Sequence, residues 1–416
     1  MQLVRRRVTC RACGNNQLTL VLNFGKTPPA NSFVKKKFIG LKERYFPLEV
    51  WFCKQCSMLQ LGHVVNPQLL FHDYVYVSST SPVFVRHFEM LAKDMGKKLR
   101  LKENSLVVDI GSNDGILLKP FKQKGMRVVG IEPAGNIARI ARKSGIDTVT
   151  HFFDVQLAQQ LVRKYGKAKL VTATNVFAHI DNLDEVVRGV QILLDDDGVF
   201  LVEVSYVGEV IKNNLFDTVY HEHVSYWSLM ALRSFFNRVG MEIFDAERIN
   251  THGGSIRVLA RKKSQSAMVS RVVTGIIKQE KMQRLHLIST YRLFQRRIEK
   301  NKRRFWKLMN SLKAGKYRVA GFGAPAKTTT LLHYFGVTKN QIEYIVDDSP
   351  LKQGLFTPGT HIPVVTAQVM KENQPDYVVI FAWNFADAIM KAHRRYIQLG
   401  GKFIIPVPVP KIVKNL

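Results

Sequence analysis

The stretch Ser105-Leu106-Val107-Val108-Asp109-Ile110-Gly111-Ser112-Asn113-Asp114-Gly115, continuing as Ile116-Leu117-Leu118-Lys119-Pro120-Phe121, decides the fold. A short apolar run ends in a carboxylate and a glycine turn, and an apolar helical pattern follows. The next apolar run, Arg127 to Ile131, closes on Glu132-Pro133. Together they read as the start of a βαβ unit. Glycines after the first strand let backbone approach a ligand at the helix N-terminus, and an acid ending the second strand can take both hydroxyls of a ribose. The G-x-x-x-G spacing is not the G-x-G-x-x-G of dinucleotide oxidoreductases. An acid before the first glycine favours a cofactor that carries positive charge and no pyrophosphate, and S-adenosylmethionine fits.

Working outward, Lys169 to Asn175 and Gly198 to Ser205 read as further strands, each after a helix-like stretch, so the sheet is doubly wound. Downstream lies Phe216-Asp217-Thr218-Val219-Tyr220-His221-Glu222-His223-Val224-Ser225-Tyr226-Trp227, too polar for a core strand and too aromatic for a solvent loop. Histidine, glutamate and tyrosine together can take a proton from carbon and steady an enolate oxygen. The H-E-H spacing lacks the i, i+4 pair of a helical zinc protease, so no catalytic metal is expected there. Thr251-His252-Gly253-Gly254-Ser255 can supply a second polar wall, and the run Tyr74 to Ser81, with Tyr76, a phenol and hydroxyls. From Met268 to Leu312 apolar residues recur at helical intervals among many basic ones, which predicts a long helix. A second βα unit then begins at Lys316, with Gly321-Phe322-Gly323-Ala324-Pro325-Ala326-Lys327 as its turn and Ile342 to Asp348 as its partner strand. Its glycines, Lys327 and three threonines suit phosphate, but Walker A spacing is absent, so a sugar-nucleotide diphosphate is the better guest.

The four cysteines form two C-x2-C knuckles, Cys10/Cys13 and Cys53/Cys56. In a reducing compartment this spacing lets four thiolates close round one structural Zn2+. A chain of 416 residues, 46% hydrophobic, has length for several domains and apolar surface for a core in each, which excludes disorder and coiled coil as overall descriptions. No apolar run reaches the roughly 18–20 residues of a membrane helix, and the N-terminus carries no apolar segment of a secretory signal, so a cytoplasmic protein without membrane insertion is expected. The net charge of +30 is spread along the chain without an RNA-recognition signature, which makes nucleic acid an unfavoured partner.

Taken together, the two knuckles, VDIGSNDG, NVFAHIDN, FDTVYHEHVSYWSL, HGGSIR, GFGAPAKTTTLL, VDDSPLKQG and TPGTHIPV resemble, in order and over essentially the whole chain, the three-domain S-adenosylmethionine-dependent C-methyltransferases of nucleotide-activated keto-deoxyhexoses. The resemblance implies an α/β fold: a zinc-binding domain (1–66), a class I Rossmann-like methyltransferase domain (67–262), a helical linker (263–312) and a second Rossmann-like domain for the nucleotide sugar (313–416). It implies that His223 takes the proton from sugar carbon 3, with Tyr220, Glu222 and Tyr76 positioning the sugar or steadying the enolate and His179 as a secondary candidate. Asp109, Gly111, Asn113, Gly115, Glu132 and Asn175 would hold the cofactor; His252, Gly323, Lys327, Asp347, Trp383 and Asn384 would frame the substrate. Three positions depart from the family pattern: Ser79 for a glycine, Thr174 for an asparagine, and Pro325 within G-A-x-A-K. The expected product is a branched deoxysugar for a polysaccharide or glycoside, made by a monomer or homodimer. The rival readings are an RNA methyltransferase, which would bind RNA with steep salt dependence, an O- or N-methyltransferase of a related sugar nucleotide, and a nonenzymatic binding protein.

Overall fold

The strand Leu106–Ile110 is buried at every position, as its unbroken apolar pattern requires of the centre of a parallel sheet. The computed structural model describes residues 2–71, 74, 77–263 and 268–414. In it Leu106–Ile110 lies within a seven-stranded sheet ordered 241–249, 255–262, 194–205, 168–174, 106–110, 127–131, 148–149. All neighbours are parallel except the Ser255–Lys262 strand, which runs antiparallel to both of its own. The strand order reverses beside Leu106–Ile110, where Ala168–Thr174 lies on one side and Arg127–Ile131 on the other. A doubly wound sheet opens its ligand crevice at such a point, outside the carboxyl ends of the strands.

The C-terminal domain repeats this plan in a six-stranded sheet ordered 364–365, 345–346, 319–322, 377–380, 402–405, 411–413, parallel except for the last strand. The N-terminal domain is antiparallel: Leu18–Thr27, Phe46–Cys53 and Leu59–Leu61. Two pairings cross the domain divisions. Ser225–Tyr226 adds an edge strand to Leu59–Leu61, and Leu355–Phe356 of the C-terminal domain pairs with Val34–Lys35.

The long helix expected from 268 to 312 is two helices, Arg271–Met282 and Ile288–Ala314. The chain breaks between them, with Arg284 at a left-handed φ of 56°. The second helix buries Tyr291, Phe294, Ile298, Asn301, Phe305, Met309 and Leu312, a stripe at three- and four-residue steps that is apolar but for Asn301. Its basic residues Arg292, Arg296, Lys300, Arg303, Arg304 and Lys307 face solvent. Tyr291 packs on Phe52 of the N-terminal domain, ring centroids 4.9 Å apart, and Phe305 stacks on Phe335 of the C-terminal domain at 4.7 Å. Each fully buried ring contributes roughly 2–3 kcal/mol, so this helix ties the outer domains together; Phe305→Ala would cost about 3–5 kcal/mol. Among the described residues no helix is long and apolar enough to cross a membrane.

Candidate active site

A cavity of about 940 Å³ lies where the three domains meet. Its first end is built by the reversal of the seven-stranded sheet. Asp109, Gly111, Asn113, Glu132 and Asn175 line it, with Ile131, Phe152 and Phe153 as apolar walls. Gly111 has φ +71°, and a Cβ there would sit 2.7 Å from Val176, so only glycine lets the turn pass. Gly115, at φ +78°, does not line the cavity; a Cβ there would strike Ile146 at 2.8 Å. Asn113 and Asn175 also have positive φ, 49° and 57°. The Glu132 carboxylate accepts the backbone N–H groups of Asn113 (3.0 Å) and Ala134 (2.9 Å), which fixes it at the mouth. Burial pushes Asp109 up to about 7, against the hydrogen bond it accepts from Thr172 Oγ1 at 2.6 Å. Two clustered carboxylates short of cations, an open glycine turn and flat apolar walls fit a ligand with a positive centre, a ribose and a base; S-adenosylmethionine meets each demand.

Past Asn175 the cavity reaches the second polar segment. Tyr220 and His223 line it; His221 and Glu222 do not. His223 Nδ1 lies 2.8 Å from the Thr218 carbonyl, which can only accept, so that nitrogen carries the hydrogen. Nε2 is then the basic nitrogen, and it receives the Tyr220 hydroxyl at 2.7 Å. His179 stacks on His223 with centroids 5.0 Å apart and 25° between planes, and Phe71 stacks on His179 with centroids 5.7 Å apart. His221 Nε2 donates to the Phe46 carbonyl at 3.2 Å, and burial lowers its imidazole to about 4. Glu222 is buried and accepts from Asn31 Nδ2 (2.7 Å) and Tyr74 Oη (3.1 Å). Burial raises Glu222 to about 7, against those two hydrogen bonds and the nearby charge of Lys352. Its two partners, Asn31 and Tyr74, both line the cavity.

The C-terminal domain supplies the far wall. Lys327 Nζ donates to Asn384 Oδ1 at 2.6 Å and sits 4.0 Å from the Trp383 ring centroid. Burial lowers Lys327 to about 8, although Asp217 opposes the shift. Trp383 does not line the cavity; its indole N–H donates to the buried Asp217 carboxylate. Gly323 and Asp347 stand outside the lining too. Asp347 accepts the N–H groups of Ala324 (2.6 Å) and Ser349 (2.9 Å), and Lys352 lies across the turn with Nζ donating to the Ala324 carbonyl at 3.0 Å. Of the departures from the family pattern, Thr174 and Pro325 line the cavity and Ser79 does not. Tyr76 lies outside the described residues, as does the side chain of His252.

Asn31, Tyr74 and Lys352 were not singled out as site residues. Asn31 follows the Pro28-Pro29 turn and Lys352 lies in VDDSPLKQG, so each had a motif as its signal. Tyr74 opens the run Tyr74 to Ser81, and that run was its signal.

The four cysteine Sγ atoms lie within 4.8 Å of one another, with Cys10–Cys56 at 3.5 Å and Cys13–Cys53 at 3.6 Å. Thiolates around one Zn2+, with bonds of about 2.3 Å, stand roughly 3.8 Å apart. The donor set and its spacing fit that ion.

Three family models match consecutive stretches of the chain. They are described as "Putative zinc binding domain" over residues 10–71, "Methyltransferase domain" over 86–246 and "C-methyltransferase C-terminal domain" over 250–408. The chain is 36% identical over 411 residues to the C-methyltransferase NovU of Streptomyces niveus, which covers 99% of this chain and 98% of that protein. It is 26% identical over 180 residues to the ubiquinone biosynthesis O-methyltransferase of Azorhizobium caulinodans, covering 42% of this chain and 65% of that one. Among solved structures, magnesium protoporphyrin IX methyltransferase from Synechocystis with bound SAH aligns over 43% of this chain and 83% of its own, at 16% identity and a TM-score of 0.34.

Proposed function

Since this chain belongs to the family of C-methyltransferases with a four-cysteine N-terminal domain, and is thereby an S-adenosylmethionine-dependent C-methyltransferase, we propose that it methylates carbon 3 of a nucleotide-activated 4-keto-6-deoxyhexose through an enolate. The observation that carries this reading is the Tyr220–His223 pair, whose basic nitrogen and phenol lie in the same cavity as the cofactor crevice. Methyl transfer to oxygen or nitrogen has a lone pair ready to react; transfer to carbon needs a base first.

S-adenosylmethionine, when bound, supplies an electrophilic methyl on a sulfonium. Asp109, Asn113, Glu132 and Asn175 hold it from the crevice side. His223 Nε2 takes the C3 proton, directly or through the Tyr220 oxygen, and the electron pair of the C3–H bond becomes the enolate. Tyr220, hydrogen-bonded to Nε2, can donate to the enolate oxygen or relay the proton. Thr218 keeps Nδ1 protonated, which fixes the tautomer that makes Nε2 the base. Lys327 and Asn384, with Lys352, present the polar wall for the nucleotide diphosphate. The four cysteines would hold a structural Zn2+ with a closed shell, which leaves that ion no open position for chemistry.

The test uses nucleotide-linked 4-keto-6-deoxyhexoses carrying deuterium at C3, incubated with S-adenosylmethionine and read by mass and carbon-13 NMR. One methyl on a quaternary C3, with the deuterium lost, is the expected result. A methyl on oxygen or nitrogen with deuterium retained, or normal turnover by a folded His223→Ala protein, would sink the proposal.

A further inference from the structure

The first cysteine knuckle is bound to the loop that carries His179. Arg11, between Cys10 and Cys13, has its guanidinium buried, with Nε donating to Asp181 Oδ1 at 2.8 Å. Arg7 donates to the same oxygen at 3.0 Å, and Arg5 pairs with Oδ2. Three guanidinium groups from one short N-terminal segment thus converge on a single carboxylate, two residues beyond His179. The other face of Arg11 is locked to the N-terminal sheet: its Nη1 donates to the Leu61 carbonyl (2.9 Å) and its backbone N–H to Gln60 Oε1 (2.8 Å). That same strand holds the His223 segment. Leu61 N–H donates to the Val224 carbonyl at 2.9 Å, and Ser225–Tyr226 pairs with Leu59–Gln60.

One rigid element therefore grips both partners of the histidine stack, His223 through a strand pairing and His179 through Asp181. The two imidazoles belong to separate loops of the methyltransferase domain; the Thr218 carbonyl and the Tyr220 hydroxyl hold His223 within its own loop, and the N-terminal domain contacts both loops. We infer that the cysteine domain is the positioning element of the His179–His223 stack, with Asp181 and Arg11 as positioning residues that set where the basic nitrogen of His223 stands. The assignment rests on the reading that His223 takes the proton. Its structural content, a coupling between the knuckle and the two imidazoles, does not depend on the substrate.

The experiment compares Asp181→Asn, Asp181→Glu and Arg7→Gln in the full-length protein. Imidazole resonances of nitrogen-15 histidine-labelled, ligand-free protein report ring stacking directly. In Asp181→Asn the His179 and His223 resonances should shift while the other imidazoles stay. Its kcat should fall roughly ten-fold, as expected for a misplaced base, with the KM for S-adenosylmethionine changed less than about two-fold. Asp181→Glu, which keeps the charge, should restore part of both. Arg7→Gln, which removes one of the three cations from Asp181 and leaves Arg11 in place, should move the same two resonances by less, and it decides the matter should Asp181→Asn fail to fold. Unmoved His179 and His223 resonances in the folded variants overturn the inference. Because the resonances need no sugar, absence of product from every keto-sugar would refute the substrate reading and leave this test standing.

Discussion

The two parallel-sheet domains share the order of their first five strands, a positive-φ glycine after the first strand, and a carboxylate after the second, yet that glycine and that carboxylate line the cavity in the methyltransferase domain and not in the C-terminal one. In the methyltransferase domain seven residues, 111–117, separate the strand Leu106–Ile110 from the helix Leu118–Gln123, and the loop lines the cavity. In the C-terminal domain three residues, 323–325, join Val319–Phe322 to Ala326–Phe335. Lys352 lies over that turn, and a Cβ on Gly323 would stand 2.5 Å from Ala382. Glu132 and Asp347 each accept two backbone amides, so the carboxylate first serves the loop in both domains. Two residues before the glycine, the open domain has Asp109 and the closed one Gly321, packed against Phe381 and Ile345. Topology and a terminal acid thus do not suffice for a ligand site. Loop length, and what fills the space over the loop, decide it.

The sharpest test of this contrast is Asp109. Burial raises its carboxyl to about 7, so between roughly pH 4, its unfolded value, and 7 the folded protein holds a proton that the unfolded chain has released. Stability of the ligand-free protein should therefore fall as pH rises through that window, by as much as about 4 kcal/mol for this group. Asp109→Asn should lose that share of the slope in urea titrations at a series of pH values; Glu222, also near 7, keeps a second share. An unchanged slope would mean that the crevice is better hydrated than its geometry implies.

Next in size is the pair of terminal acids. Glu132→Gln should weaken S-adenosylmethionine binding by roughly ten- to one-hundred-fold, the worth of hydrogen bonds to a charged acceptor, as read by calorimetry. Asp347→Asn should leave that affinity within about two-fold and instead lower the unfolding free energy by about 1–3 kcal/mol, because it leaves a single acceptor oxygen for the Ala324 and Ser349 amides and removes the negative charge beside Lys352. Loss of cofactor binding in Asp347→Asn would break the comparison.

What the sequence made legible follows from the same physics. The parallel-sheet strands that were read, both glycine turns and the cysteine quartet are written in local patterns, and the structure bears out the α/β fold and the four-cysteine cluster. The closed state of the second turn is not local, because Ala382 and Lys352 reach it from 59 and 29 residues further along the chain than Gly323. The same holds within Tyr220-His221-Glu222-His223, where the outer and inner members part company. Tyr220 and His223 face the cavity, while His221 and Glu222 are anchored on Phe46 and Asn31 of another domain. Periodicity cannot report that division, since the segment is a turn and not a helix or strand. The helix break near Arg284 also escaped, because neither glycine nor proline marks it.

The smallest effect concerns what the closed domain contributes in place of a crevice. Its Lys327 projects into the shared cavity, and burial holds it near 8, against the pull of Asp217. Between about 8 and roughly 10.4, its unfolded value, the folded protein holds fewer protons than the unfolded chain, so this group favours folding increasingly as pH rises through that window. For an anionic diphosphate the sign is opposite: the cation is needed, and its population falls above 8. The KM for the sugar nucleotide should therefore rise about three-fold between pH 7.5 and 8.5, while the KM for S-adenosylmethionine stays flat. Lys327→Arg, charged throughout this range, should remove the rise. Should the wild-type KM show no inflection near 8, the diphosphate does not meet Lys327, and the second domain then serves the cavity through shape and through Asn384 and Lys352.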